Sequence, residues 1–332
     1  MEPRVGEGNA LAYPNRLWSE RPGRLAFGSF ALTYAMHTLH RQHRREILWM
    51  VGPAILTLVV FSLYPLIYSI ALSTTDSQLA RPFREFIAFK NYTDAARDAL
   101  FGNSLVLTFV YAFGVTAIET VIGFGLALLL NRESGPTRFA RTLGLLPFIT
   151  PPVAIAAIWR LIYDPSSGML NHYLVRAGIL EQNVAFLGIP GLAMASVMLV
   201  DIWQWTPFVF LLSLAVLASL PHEPYEAAAV DGANAWQQFL HITLPLCLPG
   251  VLIIAILRLI GAMKVFDLVF MLTFGGPGSS TQVASFYIYK VAFQQFKTGY
   301  ASAMTIIVII VLSVLVTLLT ALYRRAQAKY GP

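Results

Sequence analysis

The side chains of this sequence that could do chemistry are a few charged residues in an otherwise apolar chain, and Glu226 is the first of them. It is followed by Ala227 and Ala228, and the surrounding segment 225–250 holds no Lys or Arg. Because alanine is the strongest helix former, the segment predicts a short helix with a carboxylate near its start. That carboxylate either forms a charge-assisted contact with a basic residue of another protein or serves only local helix chemistry.

Charged residues also interrupt two apolar stretches further along the chain. Asp201 lies in one, and Arg258, Lys264 and Asp267 lie in the other. Lys264 and Asp267 are three residues apart, so on one helix they would share a face. Ionisable residues inside membrane helices are costly and face a cavity or a partner. They predict either a structural ion pair between helices or the polar lining of a substrate path.

Other common chemistry is missing from the sequence. No GxxxxGKS or GxxxxGKT, HExxH, CxxC or nucleophile-elbow motif is present, so no nucleotide, zinc or covalent-catalysis site is predicted. The six histidines show no metal-binding spacing, and the one cysteine, Cys247, excludes an intramolecular disulfide. We therefore expect a protein that is not an enzyme and binds no metal or cofactor, ATP included.

The composition indicates what kind of protein must position these residues. Of the 332 residues, 57% are hydrophobic and 12% are charged, with a mean hydropathy of +0.64. Soluble proteins carry about 25% charged residues, so the composition predicts an integral membrane protein. The net charge of +6 fits basic residues flanking membrane spans, and no nucleic-acid partner is expected.

Six apolar runs long enough to cross a bilayer predict an all-α membrane protein. We expect spans at 47–72, 103–130, 142–163, 191–220, 251–274 and 299–323, with surface helices near 170–178 and 284–296. The third span is expected to be interrupted by Pro147, Pro151 and Pro152. The expected domains are an N-terminal extension (1–46), the first span with its outside loop (47–102), a transmembrane core (103–324) that contains the loop 221–250, and a tail (325–332).

Two features of the termini bear on topology. Residues 25–39 are apolar but too short to span, which predicts an interfacial helix, with an extra span as the alternative. With the N-terminus inside, 13 Lys and Arg residues fall on inside segments and 8 on outside segments. The positive-inside rule therefore places both termini and the 221–250 loop in the cytoplasm.

Local turn chemistry predicts a sharp corner within that loop. Pro224 suits the first turn of a helix, and Gly232 can adopt the left-handed conformation that ends it. Asn234 can cap a second helix. Pro245 and Pro249 are expected to separate this helix from the next apolar run.

The loop resembles the EAA loop of binding-protein-dependent ABC import permeases. The residues that carry the resemblance are Glu226, Ala227, Ala228, Gly232, Ile242, Leu244 and Pro245, with Asp231, Ala233 and Phe239 matching the sugar-importer subgroup. Further matches to sugar permeases run from about residue 47 to the end and include Tyr64-Pro65, Asn103-Ser104, Trp203 to Pro207, and Leu272 to Gly278. The last of these is most similar to the maltose and glycerol-phosphate importers.

The resemblance implies the fold, the partners and the activity. The fold would be that of a type I ABC importer, with six transmembrane helices, a cytoplasmic EAA coupling helix and the N-terminal extension added. The chain would lie in a bacterial or archaeal inner membrane with a second permease subunit, two ATPase subunits and an extracytoplasmic substrate-binding protein. ATP and Mg²⁺ would be used by the ATPases, and a carbohydrate (oligosaccharide, polyol or sugar phosphate) would be imported by alternating access.

The resemblance also assigns roles within the loop. Glu226 would face a basic residue of the ATPase, Gly232 would set the corner, and the small residues Ala227, Ala228 and Ala233 would permit close docking. Asp231 belongs to the same coupling surface, while Phe239, Leu244 and Pro245 would anchor the loop to the permease.

The resemblance places the substrate pathway among the spanning helices but does not identify its contacts. As ionisable residues within spans, Asp201, Lys264 and Asp267 are the candidates for its polar lining. Trp203 or Trp205 would be a stacking surface for a sugar ring. A tryptophan near the membrane interface is also an ordinary anchor, so both interpretations of Trp203 remain open at this point.

Two alternative functions remain. One is a permease of the same type for a solute other than a sugar. The other is an ion-coupled secondary transporter, a class that predicts repeated broken helices in both halves of the chain. No second copy of the 225–250 segment is present, which favours the ABC importer.

Overall fold

The computed structural model describes residues 49–131 and 135–330, and these ranges are helical apart from turns, loops and two isolated β-bridges. The apolar stretch 25–39, for which an interfacial helix was predicted, lies outside them. Residues 1–66 and 67–332 form two separate compact units. The described part of the first unit is helical from Trp49 onward.

The helices, numbered in chain order, are long where the sequence is apolar and short in the connecting segments. They are α1 (Trp49–Ser73), α2 (Lys90–Arg97), α3 (Ala99–Leu129), α4 (Gly135–Gly144), α5 (Leu146–Ile149), α6 (Pro152–Ile162), α7 (Met169–Arg176), α8 (Leu192–Ala218), α9 (Glu223–Val230), α10 (Ala235–Ala262), α11 (Asp267–Leu272), α12 (Ala284–Tyr289) and α13 (Thr298–Tyr330). The predicted surface helices near 170 and 284 are confirmed as α7 and α12.

Five of the described helices are long and apolar enough to cross a membrane, and a bent pair brings the number to six. In that pair, 141–149 and 152–162 meet at 98°. The break coincides with Pro151 and Pro152, which lack the N–H groups that would continue the helix, and with Thr150, whose ψ of 134° is extended. The interrupted third span predicted from these prolines is confirmed.

The fifth span differs from its predicted bounds. Helix α10 begins at Ala235 and ends at Ala262, whereas the sequence predicted a span over 251–274. Pro245 and Pro249 do not divide the helix into two. Pro245 lies two residues after a π-helical turn, Phe239–Thr243, which accommodates the backbone hydrogen bond that a proline cannot donate. Pro249 lies within the helix that follows. At 1.5 Å per residue the helix is about 42 Å long, so it has crossed the bilayer by Ala262.

Helices α3, α8 and α10 form the centre of the second unit. Gly123 of α3 lies so close to α8 that a Cβ there would be 2.8 Å from Val209 and 2.9 Å from the Phe210 nitrogen. Gly250 of α10 approaches Val216 of α8 equally closely, at 2.8 Å. Small residues at these crossings allow membrane helices to gain van der Waals contact without a hydrophobic driving force. This tight contact determines where the charged residues of the three helices meet.

Asp98 fastens the start of α3 to the C-terminal part of the chain. Its carboxylate caps α3 by accepting hydrogen bonds from the Leu100 and Phe101 N–H groups, and it also accepts hydrogen bonds from the Tyr287 and Tyr300 hydroxyls at 2.8 and 3.0 Å. Burial works against the ionised carboxylate, but these donors together hold the pKa of Asp98 below its usual value.

Candidate functional site

The acidic elbow, which we define as residues 222–243, has the corner that the sequence predicted. Helix α9 starts with Pro224 in its first turn and ends in a Schellman motif. The Ala233 N–H bonds to the Ala228 carbonyl at 2.9 Å and the Gly232 N–H to the Ala229 carbonyl at 3.2 Å. Gly232 has a φ of +76°, a conformation that an L side chain rarely adopts, so this glycine determines the corner.

Asn234 starts the next helix with a reciprocal capping box. The Gln237 N–H bonds to the Asn234 side-chain oxygen at 2.9 Å, and the Asn234 N–H bonds to the Gln237 side-chain oxygen at 2.8 Å. The predicted cap is therefore confirmed. The Tyr225 hydroxyl donates to the Thr243 hydroxyl at 3.0 Å, which links α9 to α10 across the elbow.

The elbow presents acidic and apolar groups on its exposed surface. Glu226, Ala227 and Asp231 are exposed, whereas Ala228 and Ala233 are half-buried. Val230 and Trp236 are 89% and 67% exposed, an unusual degree of exposure for large apolar side chains. Aromatic and apolar groups rimmed by charge are typical of protein-binding surfaces. The sequence prediction did not assign these two residues, although Val230 adjoins the motif residue Asp231 and Trp236 lies three residues before the motif residue Phe239.

The three residues expected to anchor the elbow differ in their surroundings. Phe239 and Leu244 are half-buried and Pro245 is exposed. The Phe239 ring lies 5.4 Å from the Trp236 ring, so the anchor and the exposed surface are in direct contact. Both residues belong to the first turns of α10.

A second site lies inside the membrane-spanning core, where Arg258 of α10 contacts two carboxylates. Its Nε lies 2.5 Å from Glu119 Oε2, its Nη2 donates to Glu119 Oε1 at 3.0 Å, and the same Nη2 also contacts Asp201 Oδ2. All three side chains are buried. We call Glu119, Asp201 and Arg258 the ion triad. It joins α3, α8 and α10, the three central spans.

The ion triad corrects the sequence analysis in one respect. Asp201 and Arg258 were noted as charged residues within spans, but Glu119 was not. Glu119 could have been identified because it is an acidic residue within the apolar run 103–130. Burying a charge in a bilayer is costly, so such a residue indicates a partner or a cavity. The triad also meets the expectation of an ion pair between helices, with Arg258 rather than Lys264 as the cation.

Trp205 lies against the ion triad. The Arg258 guanidinium carbon is 5.0 Å from the centre of the Trp205 ring, a cation–π arrangement. The other neighbours of the ring are Phe148 and Phe208, at 5.5 and 5.9 Å. Trp205 is thus held on several sides and is less available for stacking than Trp203.

Trp203 is 46% exposed and belongs to a different aromatic group. Its ring lies 5.6 Å from Trp159, which lies 5.3 Å from Tyr163. The Tyr163 hydroxyl is fixed by a 3.1 Å hydrogen bond to the Ser196 carbonyl. An exposed indole supported by fixed aromatic neighbours is a suitable platform for the apolar face of a ring-shaped ligand.

Lys264 and Asp267 do not share a helix face, contrary to the prediction. Because α10 ends at Ala262, Lys264 lies in the following turn and Asp267 is the first residue of the short helix α11. Both side chains are exposed, and no ion pair joins them among the described residues. They are close only in sequence, where the turn after α10 leads into α11.

Comparisons with known proteins agree on one family. Residues 119–329 match the model described as "Binding-protein-dependent transport system inner membrane component". A probable ABC transporter permease protein of Sinorhizobium fredii is 37% identical over 294 residues, covering 86% of this chain and 94% of the relative. The trehalose/maltose transport system permease protein MalF of Thermococcus litoralis is 33% identical over 241 residues, covering 73% of this chain and 81% of that protein.

Solved structures show the same similarity. A bacterial ABC transporter involved in the import of the acidic polysaccharide alginate has a chain with a TM-score of 0.75 and 25% identity, over 87% of this chain and 99% of that one. The alginate transporter in complex with its pentasaccharide-bound periplasmic protein gives a TM-score of 0.76 at 24% identity, over 86% and 96% of the two chains.

Proposed function

Because this chain belongs to the family of binding-protein-dependent transport system inner membrane components, we propose that it is the carbohydrate-translocating permease subunit of an ATP-driven importer. The observation that carries the proposal is the acidic elbow, which is exposed at its tip and continuous through α10 with the spanning core. A surface of this kind receives motion from a soluble partner and passes it to the membrane helices.

The partners are proposed from the chemistry of the elbow and from the family. Glu226 faces a basic residue of an ATPase subunit, while Val230 and Trp236 add apolar contact around it. Charged groups at such a surface provide specificity, and large apolar side chains provide most of the binding energy. Two ATPase subunits use ATP and Mg²⁺, a second permease completes the pathway, and a binding protein delivers the substrate.

Transport proceeds by alternating access. Closure of the ATPases displaces the elbows of both permeases, and the spanning cores move as rigid bodies around the substrate cavity. The elbow then lies on the cytoplasmic side with both termini, as the distribution of Lys and Arg favours. The chain itself contributes no catalytic group and binds no nucleotide.

A carbohydrate is the proposed substrate because Trp203, Trp159 and Tyr163 form a partly exposed aromatic group. Two of the similar proteins are described as a trehalose/maltose permease and an alginate importer. Of the five proposed pathway residues, Trp203 is best placed for contact. Asp201 and Trp205 both contact Arg258, and the exposed Lys264 and Asp267 lie where α10 is followed by α11.

The proposal is tested by uptake into vesicles that contain this chain with its partner permease, ATPase and binding protein. Radiolabelled maltose, trehalose and alginate oligosaccharides are the probes, and each is compared with an amino acid. ATP-dependent uptake of a carbohydrate is expected only when all subunits are present. Uptake by this chain alone, driven by a proton or sodium gradient, would instead identify a secondary transporter, and preference for the amino acid would refute the substrate class.

A further inference from the structure

The second part of the acidic elbow, residues 235–243, and Arg258 of the ion triad lie on the same helix. α10 begins immediately after the Asn234 cap and continues to Ala262. Arg258 therefore lies roughly 35 Å along the helix axis from Ala235, at 1.5 Å per residue. Because α10 stays one helix through the π-helical turn and Pro249, a displacement of the elbow along the helix axis is carried to Arg258.

Arg258 makes contacts that reach beyond its two carboxylates. Asp201 and Trp205 are four residues apart on α8, so they present one face to the guanidinium. Trp205 in turn contacts Phe148 of α5 edge-on at 5.5 Å. Phe148 lies two residues before Thr150, at which the third span bends by 98°.

A second contact connects α8 to the same bend. The Gln204 side-chain amide, fully buried, donates a hydrogen bond to the Thr150 carbonyl at 3.2 Å. That carbonyl belongs to the residue before two prolines, where regular helical hydrogen bonding is interrupted. The bend is therefore held from α8 by a polar contact from Gln204 and an aromatic contact from Trp205, and Trp205 is the residue that Arg258 also touches.

We propose that Arg258 is a positioning residue that carries displacement of the acidic elbow to the bend of the third span, with Trp205 as the intermediate contact. The inference rests on the proposed function, since it assumes that ATPase subunits move the elbow. It assigns the ion triad a role in transmission and makes the 141–162 bend the element that responds.

A transmitting role and a purely structural role predict different results when all three charges of the ion triad are removed together. A buried ion network can be replaced by well-packed apolar residues of similar volume with little loss of stability, because no charge is left unpaired. A triple substitution, Glu119→Leu, Asp201→Leu and Arg258→Met, follows this rule but loses the guanidinium over Trp205. A structural network would tolerate it, whereas a transmitting one would not.

The test measures the bend directly and needs no transported substrate. Spin labels are placed at positions 149 and 161, where Ile149 and Leu161 are 71% and 74% exposed on the two arms of the bend. The distance between the labels is measured in the assembled complex without nucleotide and after trapping with ATP and vanadate. We expect the wild-type distance to change between the two states and the change to be lost in the triple variant, while ATPase subunits still co-purify.

Control variants keep the experiment decisive. Leu257→Ala alters the exposed neighbour of Arg258 and should preserve the distance change. Should the triple variant fail to accumulate, Trp205→Leu leaves all three charges in place, removes the contact to Phe148, and should abolish the same change.

The remaining outcomes would each contradict either the inference or the proposed function. An unaltered distance change in the triple variant or in Trp205→Leu overturns the inference, and so does a wild-type complex that hydrolyses ATP without any change at the bend. Failure of ATPase subunits to bind the wild-type chain overturns the proposed function itself, and the inference with it.

Discussion

The Tyr225 hydroxyl donates a hydrogen bond to the Thr243 hydroxyl at 3.0 Å and thereby ties the first helix of the acidic elbow to the helix that crosses the membrane. Thr243 is buried and lies in the π-helical turn that precedes Pro245. The angle between α9 and α10 is thus fixed by this bond together with the turn at Gly232 and the cap at Asn234. The first prediction about transport tests whether that angle must be maintained.

Replacing Tyr225 with Phe should weaken coupling without removing the loop. A hydrogen bond of this kind contributes about 0.5–1.5 kcal/mol, so we expect ATP-dependent uptake to fall roughly two- to twelve-fold. The measurement is initial uptake rate at equal membrane content. Thr243→Val should produce a similar loss, and the double variant should be no worse than either single one, because both remove the same bond. Additive losses would show that the two hydroxyls act independently.

Replacing Glu226 with Lys should abolish ATP-driven uptake while leaving the protein in the membrane. The substitution puts a cation where the elbow is proposed to meet a basic surface, and like charges at an interface cost several kcal/mol. Co-purification of the ATPase subunits and uptake are the two measurements. Glu226→Gln, which removes only the charge, should retain part of both. Normal uptake by the Glu226→Lys variant would contradict the docking role of this residue.

Replacing Arg258 alone should destabilise the protein far more than replacing Glu119 alone. Arg258→Met leaves two buried carboxyl groups without a cation, and breaking a buried pair in this way costs about 3–5 kcal/mol. Glu119→Gln leaves one carboxylate with one guanidinium, so its cost should be clearly smaller. Thermal unfolding of the detergent-solubilised variants measures the difference. Equal melting temperatures would show that the guanidinium is not the hub of the triad.

Replacing Trp203 with Ala should weaken apparent substrate affinity and leave ATPase binding intact. Aromatic contacts contribute about 0.5–1.5 kcal/mol beyond the area they bury, which predicts a roughly two- to twelve-fold rise in the apparent KM for carbohydrate uptake. Leu199→Ala, an equally exposed position one turn earlier on α8, is the matched control and should change KM less. A KM unaffected by Trp203→Ala would assign this side chain to the membrane interface.

Replacing Asp98 with Asn should remove a part of the stability that depends on pH. The pKa of Asp98 is lowered in the folded state, so its contribution is complete above the unfolded value of about 3.9 and is lost as pH falls through the folded value. Asn can still cap α3, so the cost at neutral pH comes from the lost charge: a hydrogen bond to a charged group contributes about 1.5–3 kcal/mol, against about 0.5–1.5 kcal/mol for a neutral one. The melting temperatures of wild type and Asp98→Asn should converge as pH is lowered below 4. A constant difference down to pH 2 would contradict this account.

Much of the fold was predictable because its determinants are local. Apolar runs indicated the spans, two adjacent prolines indicated the break in the third, and Gly232 with Asn234 indicated the corner of the elbow. Each of these signals lies within a few residues of the feature that it specifies. The predicted six-span fold of a type I ABC importer and the family are confirmed by the comparisons.

One error concerns a pairing between residues far apart in sequence, and another concerns a local adjustment of helix geometry. Arg258 is paired with Glu119, 139 residues earlier in the chain, and no local pattern indicates such a pairing. The fifth span was placed too late because Pro245 and Pro249 were taken as interruptions, although a π-helical turn accommodates the first. Lys264 and Asp267 were expected on one helix. That helix ends at Ala262, so both residues lie beyond it.

The uninterrupted course of α10 restricts how the elbow could be exchanged with that of another permease. A graft that replaces residues 222–234 ends at the Asn234 cap and leaves the register of the membrane helix untouched. Insertion of a single residue beyond Ala235 would instead rotate everything that follows by about 100°, which would point the Arg258 side chain away from its carboxylates and toward lipid. Chimeric transporters built across this junction should therefore tolerate changes in the sequence of the elbow but not in its length after the cap.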